Sequence, residues 1–268
     1  MERTLELTAR QRFIEEYRHI RYAEGRGSND PAYYRALPYC DLSKRNPEMW
    51  RMRAATYRYF ERKILADMER ATGRPLDILD LGAGNAWMSY RLSLRNHRPV
   101  ALDIFSDVRD GLRAAHHYLQ DFGLVEADFG SLPFKENSFD LVIFNSSFHY
   151  STDYFTTLTG VKRCLRASGA IAILDSPVYK RREHGERMVR ERHCEFALRY
   201  GFRSDALPSI EFLDQQRLRI LAQALSLRWT IYRPWYGWPW HVRPLRAMLL
   251  RRRPPSRFWI LVGRFNLQ

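Results

Sequence analysis

The amino-acid sequence predicts an α/β fold, built on a doubly wound and mostly parallel sheet that follows a set of N-terminal helices. Three observations support this prediction. Short apolar runs alternate with helical patterns from residue 74 onward, and most of these runs are continuously apolar, as in strands buried on both faces. The first run also leads directly into a turn with two closely spaced glycines.

Residues 1–73 are predicted to form a helical cap. Apolar side chains from Phe13 to Ile20 recur at helical spacing, and a second helical pattern runs from Pro47, a residue that suits the first helical position, to Gly73. Residues 28–47, between these helices, contain three prolines and several aromatic residues. This composition predicts an irregular connection.

Residues 74–268 are predicted to form the core. Five apolar runs indicate parallel strands joined by crossover helices, namely "LDILDL", "PVALDI", "GLVEAD", "FDLVIFN" and "GAIAILD". Residues 180–226 show mainly helical patterns, and two further strands are expected from Arg228 and from Arg257. Residues 233–257, between those last strands, form an insertion rich in tryptophan and arginine.

The glycine turn lies in "ILDLGAGNAW", where an apolar strand meets the start of a helix. Free backbone N–H groups at such a turn favour an anionic or polar ligand. A dinucleotide-binding fingerprint requires GxGxxG, but the residue after Gly82 and Gly84 that should be the third glycine is Trp87. An indole at this point disfavours a nicotinamide dinucleotide.

Acidic residues follow the next two strands. Asp103 ends the second strand, where a carboxylate can accept hydrogen bonds from two ribose hydroxyls, and Asp128 ends the third. Phe129 follows directly and is suited to stack on a purine. Each acid alone could equally be a helix cap or a solvated loop residue, but their placement on successive strands indicates a nucleoside site.

With these motifs the chain resembles the class I S-adenosylmethionine (AdoMet) dependent methyltransferases, in particular the branch of the ubiquinone and menaquinone biosynthesis enzymes. The resemblance spans about residues 76–177 and rests on "LDLGAGNA", "ALDIFSD", "EADFGSLPFKENSFDLVIFNSSFHY" and "LTGVKRCLRASGAIAILDSP". It implies a seven-stranded Rossmann-like sheet with an antiparallel final strand. Ala86 replaces the family's third glycine, which is a mild departure.

The resemblance also implies the roles of cofactor-binding residues. Asp80, Gly82 and Gly84 would line the methionine moiety of AdoMet, and Asn145 would offer backbone contacts beside the sulfonium. The product would be S-adenosylhomocysteine.

The nucleoside end of AdoMet would meet a second group of residues. Asp103 would hold the ribose hydroxyls, while Asp128 and Phe129 would bind adenine. Trp50 and Arg53 lie where relatives place a helix that closes over the cofactor, although a tryptophan at such a position can simply belong to the core.

Two candidate catalytic residues follow the fourth strand. His149 is the leading candidate for a general base, because a histidine can accept a proton near neutral pH, and Tyr150 is a second candidate. The alternative for His149 is a role in shaping the pocket. The three cysteines, Cys40, Cys164 and Cys194, lie far apart, so neither a metal site nor a disulfide framework is expected.

The acceptor is left open by the sequence. A small-molecule or lipid-like acceptor, methylated at oxygen or carbon, is favoured, because "NSSFHY" stands where base-modifying enzymes have a proline-rich motif. The net charge of +14 keeps an RNA substrate as an alternative. A catalytically silent scaffold protein of the same fold is a second alternative.

The expected location of the protein in the cell rests on its apolar segments and its charge pattern. The first ten residues lack an apolar run and no segment approaches the length of a membrane span, so we expect a cytoplasmic protein. Seven arginines and no acid lie between Arg233 and Arg257. The insertion could therefore contact an anionic membrane peripherally.

Overall fold

The computed structural model describes residues 2–266. Over this range it contains nine strands: β1 Asp77–Leu81, β2 Arg98–Asp103, β3 Gly123–Glu126, β4 Phe139–Asn145, β5 Leu165–Leu174, β6 Val178–Tyr179, β7 Leu213–Asp214, β8 Leu227–Tyr232 and β9 Ile260–Phe265. The α-helices of the same range are α1 Glu2–Ala23, α2 Pro31–Ala36, α3 Pro47–Phe60, α4 Ala66–Thr72, α5 Trp87–Ser93, α6 Tyr154–Cys164, α7 Arg182–Tyr200, α8 Gln215–Ala224, α9 Trp238–His241 and α10 Arg243–Leu249.

Seven strands form the main sheet, in the order β3-β2-β1-β4-β5-β9-β8. Strands β1 to β5 pair with one another in parallel, and β9 is antiparallel to both β5 and β8. The predicted fold class, a doubly wound Rossmann-like sheet with an antiparallel final strand, is confirmed. The strand order reverses between β1 and β4, and ligands bind at such a switch point in open α/β sheets.

The register of the strands brings their carboxyl ends to one edge. Asp80 lies beside Ala101 of β2 and Ile143 of β4, while Asn145 at the end of β4 lies beside Leu174 of β5. The side chains that follow β1, β2, β4 and β5 therefore surround the same crevice.

Apolar layers cover both faces of the sheet. Every residue of β4 is buried, which explains its continuous apolar run. On one face Trp50 and Tyr57 of α3 pack against Trp87 of α5, with ring centroids 6.1 and 5.6 Å from that indole. Trp87 is thus a core residue between the cap and the sheet, which accounts for the indole at the third position of the turn.

Several local features differ from the sequence expectations. The 28–47 connection contains α2, where Asp30 caps the helix by accepting from the N–H of Ala32 at 2.8 Å. Between β3 and β4, residues 127–138 form turns and extended chain. Strands β6 and β7 pair as a separate two-stranded sheet, because residues 178–179 run alongside 213–214.

None of the helices within residues 2–266 combines the length and apolarity required to cross a membrane.

Candidate active site

The glycine turn after β1 is fastened to the end of β2. The N–H groups of Gly82 and Ala83 both donate to the carbonyl of Leu102, at 2.8 and 3.1 Å. Gly82 has φ +71°, and a Cβ there would come within 2.3 Å of the Cβ of Ser147. At Gly84, with φ +54°, a Cβ would find no atom closer than 4.0 Å, so this side of the turn is open.

Asp80 lies at the bottom of the crevice and is fully buried. The hydroxyl of Ser89 donates to its Oδ2 at 2.8 Å, whereas Oδ1 has no partner among the described residues. Loss of water around the carboxylate, together with the charge of Asp103, raises the pKa of Asp80 to about 7. A buried carboxylate oxygen without a donor indicates a place for a cationic or N–H ligand group.

Asp103 is half-buried at the end of β2. Its Oδ2 accepts from the N–H of Gly84 at 2.7 Å and its Oδ1 accepts from the N–H of Phe105 at 2.8 Å. Burial raises the pKa of Asp103, against the effect of these backbone donors. Each oxygen keeps a further lone pair, so the carboxylate can still accept two hydroxyl groups.

The remaining predicted cofactor residues meet at the same edge. Phe129 reaches the glycine turn, since its Cζ lies 3.0 Å from where a Cβ on Gly82 would stand. Asp128, one residue earlier, accepts from the N–H of Gly130 at 2.8 Å and is only partly buried. Asn145 is buried at the end of β4, and its side-chain oxygen has no partner among the described residues.

Helix α1 packs over the loop that follows β2. Arg21 forms an ion pair with Asp110, and the hydroxyl of Tyr22 donates to Asp107 at 2.9 Å. The ring of Tyr17 packs edge-to-face on Phe105, with centroids 5.1 Å apart. These contacts were not predicted from the sequence, although the acids in "FSDVRD" and the arginines of the first helix are signals of an ion-paired surface.

Two cavities adjoin this edge of the sheet. The larger one, about 480 Å³, lies between α1, α3, α7 and the 233–257 insertion and is called here the main cavity; Arg53, Tyr150 and Asp175 line it. The smaller one, about 290 Å³ and called the second cavity, is lined by His149 and Arg253 among others.

The two predicted catalytic residues therefore face different cavities. Tyr150 lines the main cavity and packs edge-to-face against Tyr17, with centroids 6.0 Å apart. His149 lines the second cavity, and its Nδ1 lies 3.3 Å from the hydroxyl of Ser176. Burial, with the charges of Arg192 and Arg53, lowers the pKa of His149 to about 3, so its imidazole is neutral at physiological pH.

Asp175, which follows β5, is a site residue that the sequence analysis missed. The hydroxyl of Thr56 donates to its Oδ1 at 2.6 Å, while its Oδ2 is buried without a partner among the described residues. Burial raises its pKa. The available signal was its position at the carboxyl end of a predicted strand, as for Asp103.

Comparison with a known family supports the sequence resemblance. Residues 79–173 match the family model described as a methyltransferase domain. This range begins in β1 and ends in β5, and it includes Asp80, Asp103, Asp128 and Asn145.

Curated relatives match a similar part of the chain. A malonyl-[acyl-carrier protein] O-methyltransferase of Halorhodospira halophila is 30% identical over 112 residues, which are 41% of this chain and 38% of the relative. One from Hahella chejuensis is 30% identical over 130 residues, or 44% of each chain. The matched region thus spans less than half the length of these relatives.

Solved structures share the fold at low sequence identity. A protein from Pyrococcus horikoshii OT3 has a TM-score of 0.52 and 18% identity, with 88% of this chain and 99% of that chain covered. The YcgJ protein from Bacillus subtilis has a TM-score of 0.51 and 14% identity, with coverage of 72% and 93%. The family match thus identifies residues 79–173 as a methyltransferase domain, and the solved structures share the fold that contains it.

Proposed function

We propose that this chain is an AdoMet-dependent methyltransferase that acts on a small-molecule or lipid-like acceptor. The observation that supports it most is the convergence of Asp80, Asp103 and Asn145 around the open side of the glycine turn, next to the main cavity. These groups offer acceptor atoms that lack partners within residues 2–266 or retain lone pairs. In a protein that bound no ligand here, these acceptor atoms would remain without hydrogen bonds, which would destabilise the folded state.

The residues present suit AdoMet as cofactor. The unpartnered Oδ1 of Asp80 suits the ammonium of the methionine moiety, and the free lone pairs of Asp103 suit the ribose hydroxyls. Asp128 and Phe129 are available for adenine. Arg53 faces the main cavity, and burial lowers its pKa to about 10, so the methionine carboxylate would give it a counter-charge.

AdoMet supplies a methyl group bound to a sulfonium, so that the acceptor atom gains the new bond to carbon while the carbon–sulfur bond breaks and its electron pair stays on sulfur. The chain contributes alignment and exclusion of water, which together supply several kcal/mol in well-oriented reactions. Helix α1 closes the crevice from above, and Tyr150 forms part of the wall.

Oxygen is the favoured acceptor atom in this proposal. The matched relatives are named O-methyltransferases of a malonyl group on an acyl carrier protein, and a malonyl group ends in a carboxylate. Methylation at carbon remains the other form of the proposal.

Calorimetric titration with AdoMet and S-adenosylhomocysteine tests the proposal. We expect both to bind, and we expect Asp103→Asn to weaken both by about tenfold or more, because one charge-assisted acceptor is lost. Failure of the unsubstituted chain to bind either compound would favour the silent scaffold.

Incubation with methyl-labelled AdoMet and fractionated cell extract then identifies the acceptor pool. We expect label in the lipid or small-molecule fraction. Label confined to RNA would instead support the RNA methyltransferase alternative.

Peripheral contact with an anionic membrane is also part of the proposal. The insertion exposes large apolar side chains beside its arginines, with 73% of Trp238, 72% of Leu249 and 66% of Met248 accessible to solvent. Amphipathic helices with tryptophan and arginine bind at lipid interfaces. Trp240 and Arg243 of the same insertion line the main cavity, so such contact would bring a lipid-like acceptor close to its entrance.

A further inference from the structure

Two arginines form a wall shared by both cavities. Arg192 on α7 and Arg243 at the start of α10 each line the main cavity and the second cavity. They come from segments 51 residues apart in sequence, outside the matched methyltransferase region, and we call them the arginine pair.

Arg243 has no carboxylate partner within salt-bridge distance among the described residues. It donates to the backbone carbonyl of Ser256 at 2.8 Å, and its guanidinium lies over the ring of Trp240 at 3.1 Å from the centroid. Its Nε is buried without an acceptor in the described part of the chain. Burial of this charge lowers the pKa of Arg243 to about 10. A positive group in such surroundings is stabilised by an anion.

The guanidinium of Arg192 uses only some of its hydrogen-bond donors. It pairs with Glu211 at 2.6 Å, but the same carboxylate also accepts from His193 at 2.9 Å. The Nε of Arg192 is buried without a partner among the described residues. Glu211, which also lines the second cavity, is thus shared between Arg192 and His193. It does not pair with Arg243, and both guanidinium groups keep N–H donors to spare.

We propose that the arginine pair binds the anionic group of the methyl acceptor, a carboxylate or a phosphate. This inference rests on the proposed function and specifies the class of its substrate. The planar guanidinium fork matches the oxygen geometry of both groups. The second cavity, which the pair also lines, contains none of the residues assigned to AdoMet and so has room for a part of the acceptor. A carboxylate that is itself methylated would lie on the main-cavity side of the pair, where Arg53 also lines the wall.

The surroundings of the pair suit an amphiphilic acceptor. Trp240 and Phe258 line the main cavity beside Arg243, which gives the anion site an apolar neighbour. An acceptor with an acidic end and an apolar body would match both parts. A carboxylate acceptor is ionised at neutral pH, so its oxygen can be methylated without a general base.

Calorimetry on the chain saturated with S-adenosylhomocysteine tests this proposal. The probes are malonyl-N-acetylcysteamine, which has a free carboxylate, its uncharged methyl ester, decyl phosphate and uncharged decanol. We expect at least one charged probe to bind at least tenfold more tightly than its uncharged analogue. Arg243→Gln should reduce that difference at least tenfold, and Arg243→Lys should restore part of it.

Arg246→Gln is the matched control, because Arg246 lies on the same helix but is exposed and outside both cavities. It should leave the binding of every probe unchanged. The proposal is overturned if no charged probe is preferred, or if Arg243→Gln and Arg246→Gln behave alike. Normal binding of S-adenosylhomocysteine by each variant confirms folding and separates these outcomes from a failure of the proposed function itself.

Discussion

At the scale of single residues, the raised pKa of Asp80 links folding to pH. Folding raises this pKa from 3.8 to about 7, so the folded chain binds more protons than the unfolded chain between these values. The contribution of Asp80 to stability is therefore present below pH 3.8 and lost as the pH rises through 7. We expect the free energy of unfolding of Asp80→Asn, relative to that of the unsubstituted chain, to rise by about 1–3 kcal/mol as the pH rises from 5 to 8. Urea denaturation at both pH values measures this.

Asp77→Asn is the opposite control for Asp80. A hydrogen bond from Arg98 lowers the pKa of Asp77, with further help from Arg166, so its carboxylate stabilises the folded chain above pH 4. This variant should lose stability relative to the unsubstituted chain as the pH rises from 3 to 5. If the stability of both variants, relative to the unsubstituted chain, changed with pH in the same direction, the opposite pKa shifts assigned to Asp80 and Asp77 would be wrong.

Two possible roles of His149 predict different turnover for the variant His149→Ala. If it is the general base that the sequence predicts, His149→Ala should lower turnover about a hundredfold. Because burial holds its pKa at about 3, the imidazole is a weak proton acceptor, and an ionised carboxylate has no proton to release. We therefore expect His149→Ala to retain turnover within about tenfold. The rate of label transfer from AdoMet, with AdoMet affinity as the control, decides between these roles.

Candidate site residues could be predicted where a polar or aromatic side chain lies next to a strand end in sequence. Asp80, Gly82, Asp103 and Phe129 could be named because each follows a recognisable apolar run, and the structure brings them to one edge. The arginine pair could not be found in this way. Its members converge only through the packing of α7 against the insertion, which no local pattern encodes.

At the scale of elements, α1 depends on one buried ion pair. Asp110, the partner of Arg21, has a side chain only 1% exposed. Arg21→Met should leave that carboxylate buried without its counter-charge and lower the free energy of unfolding by about 3 kcal/mol. It should also weaken AdoMet binding, since α1 loses its attachment. Chemical denaturation and calorimetry measure the two effects.

Arg18→Met provides the comparison on the same helix. Arg18 lies 3.4 Å from Asp107, but its side chain is 45% exposed, so water already screens the pair. We expect a loss below about 1 kcal/mol. Equal losses for Arg18 and Arg21 would show that α1 is held by its apolar contacts rather than by the buried pair.

Element types were predicted better than element boundaries and small additions. The main strands were located because their apolar runs are bounded by glycine, proline or acids. Helix α2 was missed because its six residues lie among prolines, and β6 and β7 were missed because two residues give no periodicity. Such short elements depend on neighbours that are distant in sequence.

At the scale of the whole molecule, the net charge of +14 is concentrated in part on the insertion, which supplies seven arginines. We expect binding to vesicles that contain anionic lipid, and we expect this binding to weaken as salt rises from about 50 to 500 mM. Replacement of Trp238 and Leu249 by aspartate should weaken it further at low salt. Vesicle co-sedimentation measures the bound fraction.

Leu198→Asp is the control for vesicle binding. Leu198 is 89% exposed on α7, outside the insertion, so the substitution adds the same charge at another exposed apolar site. It should reduce vesicle binding less than either substitution in the insertion. Absence of any salt-sensitive binding by the unsubstituted chain would contradict the membrane contact.

The attachment of α1 across the loop after β2 also has a kinetic consequence. Separation of the contacts of Arg21 and Tyr22 would let α1 move away from that loop and would widen the path between the crevice and solvent. Release of the product nucleoside, rather than methyl transfer itself, would then limit the turnover rate.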